Sequence, residues 1–302
     1  MKIINGKKIA DQVLETLEQK IRSLELKPGL AIIQIGFDKP TEIYIQKKIQ
    51  DAKQVGIKTE VHSFKKTSIN ELQKLCTILN KRRDIHGYFI QLPFSLDKNK
   101  FDIFRKITIQ KDVDGLNPLS LGLLFQKNKR KHFVPATVKA IELCLKHVVV
   151  YSDDKYSDEE LNEEFVTKEL KDFLKGKNIT IINDSIIVGR PLAALLLNYN
   201  SSISICHKYT ANLTEYTKKS DIIITATGHP HLIKADMIKP NSILIDVGIS
   251  YTNRSIKGDI DFNSLKDMDG WITPVPGGVG PITRAMLLQN TFNAYLNQIE
   301  KH

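Results

Sequence analysis

Apolar and polar positions follow two rhythms along this chain, and the rhythm switches repeatedly. Ile9, Val13, Leu17, Ile21 and Leu24 recur at helical spacing and predict an amphipathic helix over about 7–25. Short apolar runs bounded by glycine or proline, "LAIIQIG" (30–36) and "GYFIQLP" (87–93), read as buried strands, with a third near 58–63. Helical spacing returns over 41–55 and 69–82. A second series starts near residue 178: strand "NITIIN", helix 191–199, strand "SISIC", helix 211–219, then strands "DIIITAT" and "SILIDVGI". Such βα repetition predicts mostly parallel sheets with helices on both faces. The expected fold class is α/β with two domains: an N-terminal α/β domain and a Rossmann-like, doubly wound domain, with a cleft between them. The expected boundaries are 1–140 plus 281–302 for the first domain and 141–280 for the second. The helix over 281–298, after the glycine-rich "PVPGGVGP", is the segment expected to return to the first domain.

The stretch "YSDDKYSDEELNEEFVTKELKDFLKGK" (151–177) breaks both rhythms with a crowd of acids, and its 150–170 part reads as an exposed insertion, or a helical excursion, at the junction. At 302 residues, 41% hydrophobic and 26% charged, the chain is long enough for two cores. Its amino terminus enters a helix pattern without a signal-peptide apolar region, so a cytoplasmic location without membrane spans is expected. Cys76, Cys144 and Cys206 are too few and too scattered for a disulfide framework or a zinc site, and no metal is expected. The net charge of +10 suits a polyanionic partner, but aromatics at 7% do not interleave with the basic runs at 81–83 and 127–132. Nucleic acid is therefore the weaker partner reading.

Several positions carry candidate chemistry. In "TEIYIQKKIQDAKQVGI", Tyr44 and Lys48 share one helix face; alone they fit equally a ring packed on a lysine stem at the surface. Gln91 ends a strand, where its amide can orient an amine. Asp112 and Asp114 in "KDVDGLNP" suit an aminopyrimidine-like donor pair, or simply a turn. The turn "INDSIIVGRPLAALL" has the context of a dinucleotide-binding turn but lacks G-x-G-x-x-G, keeping only Gly189, with Arg190 next and Pro191 at a first helical position. Strand ends "TATGHP", with Ala226 and Gly228, and "DVGI", with Gly248 and Ile249, each bring a glycine to the carboxyl edge. The loop holding Pro276, Gly277 and Gly278 is rigid and poor in side chains, fitting a flat ligand or a structural crossover.

Nine landmarks, "YIQKK", "GYFIQLP", "KDVDG", "PATVKA", "SIIVGRP", "CHKYT", "DVGI", "KGDIDF" and "ITPVPGGVGPIT", occur here in one order over nearly the whole chain. In that order the chain resembles the bifunctional methylenetetrahydrofolate dehydrogenase/methenyltetrahydrofolate cyclohydrolase family. The resemblance implies oxidation of a 5,10-methylene bridge by hydride transfer to a nicotinamide, then hydrolysis of the methenyl cation to 10-formyltetrahydrofolate. It implies a folate-binding catalytic first domain and a dinucleotide-binding second domain. Lys48 matches the catalytic lysine, Gln91 the residue positioning it, Tyr44 the stacking tyrosine and Asp114 the pterin anchor. Pro276, Gly277 and Gly278 fall on the substrate side. On the cofactor side are Asp184, Ser185, Val188, Gly189, Arg190, Pro191, His207, Lys208, Ala226, Gly228, Gly248 and Ile249. It further implies NADP as cofactor with NAD as the alternative, one-carbon tetrahydrofolates including polyglutamylated forms as substrates, and a homodimer.

The chain departs from the family pattern on one side. Asn183, Asp184 and Ser185 stand where Gly-Arg-Ser is usual, Cys206, His207 and Lys208 where Cys-His-Ser is usual, and "PATVKA" replaces P-C-T-P. A carboxylate at Asp184 opposes a 2′-phosphate, while Lys208 can pair with Asp184 or receive that phosphate. A cyclohydrolase with a weak or lost dehydrogenase is therefore the alternative enzymatic reading, and a basic nucleic-acid-binding protein the alternative from another class.

Overall fold

The computed structural model describes residues 1–94, 100–127, 130–152, 162–252 and 255–300. The chain forms two compact units, passing between them after Ile9, Ala136 and Thr283.

The unit holding Ala10–Ala136 and Arg284–His302 contains most of α1 (Gly6–Arg22), then β2 (Gly29–Ile35), α2 (Lys39–Val55), β3 (Lys58–Phe64), α3 (Ile69–Lys81), β4 (Gly87–Ile90), α4 (Pro118–Phe125) and the body of α9 (Val279–Ile299). Its sheet is parallel, in the order β3-β2-β4. All seven residues of the central β2 are buried, as a strand covered on both faces requires. The helix starts follow local chemistry. Asp38 caps α2 by accepting from the Thr41 N–H at 3.0 Å, and Ser68 and Glu71 form a capping box at α3. Gly56 ends α2 at φ 82°, a left-handed value that favours glycine.

The other unit, Met1–Ile9 with Thr137–Thr283, contains β1 (Lys2–Ile3), nearly all of α5 (Ala136–Tyr151), α6 (Glu163–Leu174), β5 (Asn178–Ile182), α7 (Gly189–Asn198), β6 (Ser202–Cys206), α8 (Leu213–Thr217), β7 (Ile222–Thr225), β8 (Ser242–Asp246), β9 (Ser250–Thr252), β10 (Ser255–Lys257) and β11 (Gly270–Ile272). Its six-stranded sheet runs β1-β11-β8-β7-β5-β6, every pair parallel, while β9 and β10 form an antiparallel hairpin. Strand order reverses at β5, with β6 on one side and β7 on the other. This is the switch point at whose carboxyl edge ligands bind in doubly wound sheets. Ile182, Cys206, Ile223, Leu244 and Ile272 pack into one apolar core.

Three features differ from the sequence-based expectation. Residues 2–3, without a strand signal, pair with Trp271–Ile272, so the chain start joins the six-stranded sheet rather than the first unit. Two- and three-residue strands carry too few positions for a period to register. The acidic stretch is not one exposed insertion. Residues 153–161 lie outside the described residues, but α6 is an integral helix whose Leu170 and Leu174 are fully buried one turn apart. Its acids hid that stripe. The helix expected at 211–219 shrinks to Leu213–Thr217. Among the described residues no helix is long and apolar enough to cross a membrane.

Candidate active site

The unit with the three-stranded sheet gathers four of the folate-side candidates, Tyr44, Lys48, Gln91 and Asp114, while Pro276, Gly277 and Gly278 belong to the unit with the six-stranded sheet. Lys48 is buried on α2, and its Nζ donates to Gln91 Oε1 at 2.9 Å. Gln91 follows β4 directly; its backbone N–H extends the ladder to Ile33 and its Nε2 donates to the Leu92 carbonyl at 2.7 Å. With the amide nitrogen tied back, the oxygen points at the amine. The Lys48 ammonium also lies over two rings, Tyr44 at 5.0 Å and Phe89 at 4.1 Å from their centroids. Phe89 was not among the sequence candidates, because in "GYFIQLP" it reads as an ordinary strand residue. Burial pushes Lys48 down to about 8, opposed by the negative charge of Asp114 and assisted by the cation of Arg284. Burial raises Asp114 in turn, and Lys48 opposes that shift.

The charged residues of "KDVDG" divide their work. Lys111 Nζ donates to the carbonyls of Leu79 and Arg82, closing the end of α3. Asp112, almost fully buried, accepts from the N–H groups of Leu116 and Asn117 and from Ser120 Oγ. Burial still drives it up to about 7. Asp112 is therefore the turn former, and Asp114 is the carboxylate whose charge couples to the lysine. Sequence spacing alone could not separate them.

At the carboxyl edge of the six-stranded sheet, side chains hold backbone rather than point outward. Asn183, just past β5, accepts with one oxygen from the Ser185 N–H, the Ser185 hydroxyl and the Gly189 N–H, and its Nδ2 donates to the Ala226 carbonyl past β7 at 2.7 Å. One amide thus bridges the switch point. The Val188 N–H donates to Ser185 Oγ. A Cβ on Gly189 would sit 1.8 Å from the Asn183 carbonyl oxygen, so only glycine lets α7 start there. Pro191 is the third residue of α7 rather than the first, still within the turn whose N–H groups lack helical partners.

Two buried aspartates join three landmarks. Asp259 Oδ2 accepts from Thr225 Oγ1, the Thr227 N–H and Thr227 Oγ1. Asp246 accepts from the N–H groups of Gly248, Asp259 and Ile260, and burial pushes it up to about 7. This explains why "TATGHP", "DVGI" and "KGDIDF" belong together: they form one buried hydrogen-bonded knot. Beside it lies a cavity of about 260 Å³ lined in part by Asp246, Phe262, Thr273 and Val275. Gly228, at φ 73°, lies beside Ile249, which is about half exposed: a Cβ on Gly228 would sit 3.7 Å from the Ile249 carbonyl oxygen.

The remaining candidates are looser. Asp184, Arg190, His207 and Lys208 are exposed. Arg190 Nε donates to the Asp184 carbonyl at 2.8 Å. Lys208 lies over the Tyr209 ring at 4.8 Å, and no ion pair joins it to Asp184 among the described residues. Gly277, at φ 101°, gives its carbonyl to the Lys7 N–H, while Gly278 packs so closely on Gly6 that a Cβ there would lie 1.9 Å from the Gly278 oxygen. Pro276 is exposed beside them. A glycine-lined edge at a switch point, with a helix start beside it, fits a flat, phosphate-bearing dinucleotide.

A buried lysine–glutamine pair on one α/β unit and a doubly wound second unit define a two-domain α/β enzyme with a catalytic and a nucleotide-binding domain. Two family models match: the catalytic domain of tetrahydrofolate dehydrogenase/cyclohydrolase over residues 4–114 and its NAD(P)-binding domain over 164–299. The chain belongs to the tetrahydrofolate dehydrogenase/cyclohydrolase family. It is 38% identical over 300 residues to the bifunctional protein FolD of Hydrogenobaculum sp., covering 99% of this chain and 100% of that one. Among solved structures, the bifunctional FolD methylenetetrahydrofolate dehydrogenase/cyclohydrolase of Campylobacter jejuni superposes with a TM-score of 0.87 at 34% identity, covering 99% of both chains. The Trypanosoma brucei methylenetetrahydrofolate dehydrogenase-cyclohydrolase, solved with NADP and an inhibitor, gives 0.86 at 27% identity and covers 98% of both.

Proposed function

We propose that this chain oxidises 5,10-methylenetetrahydrofolate to the 5,10-methenyl cation and hydrolyses that cation to 10-formyltetrahydrofolate, with Lys48 as the proton-transferring group. The single observation that carries the assignment is the 2.9 Å bond from Lys48 Nζ to Gln91 Oε1, in a chain of this family. Hydrolysis adds water to the methenyl carbon, releases one proton and breaks one carbon–nitrogen bond. An amine near 8 exchanges protons at neutral pH where an ordinary lysine does not. In this reading Lys48 takes the proton from the attacking water and returns it to the departing nitrogen. Gln91 holds the amine through either protonation state, because an amide oxygen accepts from ammonium and amine alike. Tyr44 stacks on the aminobenzoyl ring, fixing the one-carbon bridge, and Asp114 accepts from the pterin edge.

The Asn183–Ser185 turn, the start of α7 and the strand ends carrying Gly228, Gly248 and Ile249 would hold the nicotinamide dinucleotide, with Arg190 near the pyrophosphate. When bound, the nicotinamide accepts the hydride leaving the methylene bridge. The NADP-bound relative supports NADP, as does Lys208; Asp184 favours NAD. The net charge of +10 supports attraction of polyglutamylated folates. The family resemblance supports a homodimer, and a cytoplasmic location completes the reading. A spectrophotometric assay of both half-reactions with each nicotinamide cofactor tests it. Methenyl hydrolysis together with cofactor-dependent oxidation is expected; hydrolysis without oxidation would leave a cyclohydrolase alone, and neither would reject the assignment.

A further inference from the structure

The face of α2 that carries Tyr44 and Lys48 continues for another turn. Asp51 stands three residues beyond the lysine, on the same side of the helix. Its Oδ2 accepts from Arg284 Nε at 2.6 Å, and the two side chains are only 16% and 17% exposed. Arg284 begins the part of α9 that belongs to the same unit. An ion pair this sheltered, one turn from a buried amine, does more than decorate a surface: removing either partner leaves a charge with little water to screen it.

We propose that Arg284 and Asp51 are positioning residues for the Lys48 amine, fixing α2 against α9 beside it and partly offsetting each other's charge there. The inference rests on the reading of Lys48 as the proton-transferring group. The groups around the amine define the balance. From α2 comes Tyr44, from β4 and its end Phe89 and Gln91, from the following turn Asp114, and from α9 Arg284, which Asp51 of α2 holds. Asp112 is turned away, its oxygens occupied by N–H groups and Ser120. Arg284 lowers the proton affinity of Lys48 while Asp114 raises it. Deleting the arginine removes that opposing cation and leaves an unpaired carboxylate, Asp51, one helical turn from the ammonium. Deleting Asp51 frees the arginine to repel it.

The test is the direct titration of Lys48 by NMR in protein labelled at lysine Cε, with its resonance assigned by its loss in Lys48→Met. Arg284→Met is expected to raise the Lys48 midpoint by about half a unit to one unit, and Asp51→Asn to lower it by a similar amount. The double variant should return close to wild type, and Arg284→Lys, which keeps the charge, should stay near it. The pH profile of methenyl hydrolysis should move with the same signs while the KM for folate stays within about twofold. Shifts of the same sign in both single variants, or an unmoved Lys48 in a folded Arg284→Met protein, would overturn the proposal. If Arg284→Met does not fold, Asp51→Asn and the double variant decide the sign. A shifted titration with an unshifted hydrolysis profile would uphold the effect on the amine and reject instead the assignment of proton transfer to Lys48.

Discussion

The lysine site and the carboxyl edge of the six-stranded sheet solve opposite problems. At the first, one buried amine is proposed to transfer the proton, and its neighbours tune it: Gln91 fixes its direction, burial brings it to about 8, and Asp114 and Arg284 pull it in opposite senses. At the second, side chains hold backbone in place around the proposed dinucleotide site. Asn183 uses its amide oxygen inside the turn and its Nδ2 on the Ala226 carbonyl past β7, and Asp246 and Asp259 accept from the loops past β7 and β8. A substitution at the lysine site changes reactivity. One at the sheet edge changes shape first. Asn183 and Asp184, two of the departures, fall at the second site, where the asparagine amide ties the turn.

The sharpest way to break this contrast is Lys48→Met. Methenyl hydrolysis should fall by ~10² or more with the fold intact, since general acid–base groups contribute at least that much. Hydrolysis by the folded variant within about tenfold of wild type would remove Lys48 from its role. The same variant has a stability signature. Lys48 is lowered from 10.5 to about 8 in the folded state, so the unfolded chain binds the proton more tightly. The cost of burying the charge is complete below about pH 8 and fades as pH rises toward 10.5. Methionine should therefore raise stability at pH 7 by roughly 1–3 kcal/mol, an advantage that disappears by about pH 10.5 in denaturant titrations.

Asp114→Ala should weaken folate binding by about 10- to 100-fold while leaving dinucleotide binding unchanged, as lost charge-assisted bonds imply. Unaltered folate affinity with a lower Tm would make Asp114 a turn former like Asp112. Asp259→Ala tests the other region. It deletes the acceptor of three hydrogen bonds at Thr225 and Thr227, so the KM for dinucleotide should rise about tenfold while methenyl hydrolysis persists. Equal loss of both activities would show that the knot supports the whole chain rather than its own edge.

The smallest effect expected is a change in cofactor ratio. Asp184 and Lys208 are both exposed at the ends of neighbouring strands, with no ion pair between them among the described residues. Asp184→Arg should move the NADP-to-NAD preference toward NADP by several-fold, on the order of 1 kcal/mol, and Lys208→Ser should move it toward NAD. Kinetic constants with both cofactors measure the ratio. If neither variant alters it, both residues lie outside the phosphate site.

What the sequence by itself determined were the repeating features. Period and punctuation placed the strands "LAIIQIG" and "SILIDVGI" and the helices over 41–55 and 69–82, because each spans enough residues for burial to imprint a rhythm. Helical spacing also put Tyr44 and Lys48 on one face. Tertiary structure decided whatever depends on partners distant in the chain. Lys2–Ile3 is a strand only because Trp271–Ile272 lies beside it. Asp112 and Asp114 are two residues apart and chemically identical, yet one faces backbone N–H groups and the other couples to a lysine on another helix. Phe89 lies over that lysine only because β4 turns its ring toward α2. In "KGDIDF" no local rhythm singles out Asp259, which lies beneath Thr225 and Thr227 only in the fold. A residue's local pattern records how it is buried; its chemistry is set by what the fold brings within hydrogen-bonding distance, and no period in the sequence encodes that.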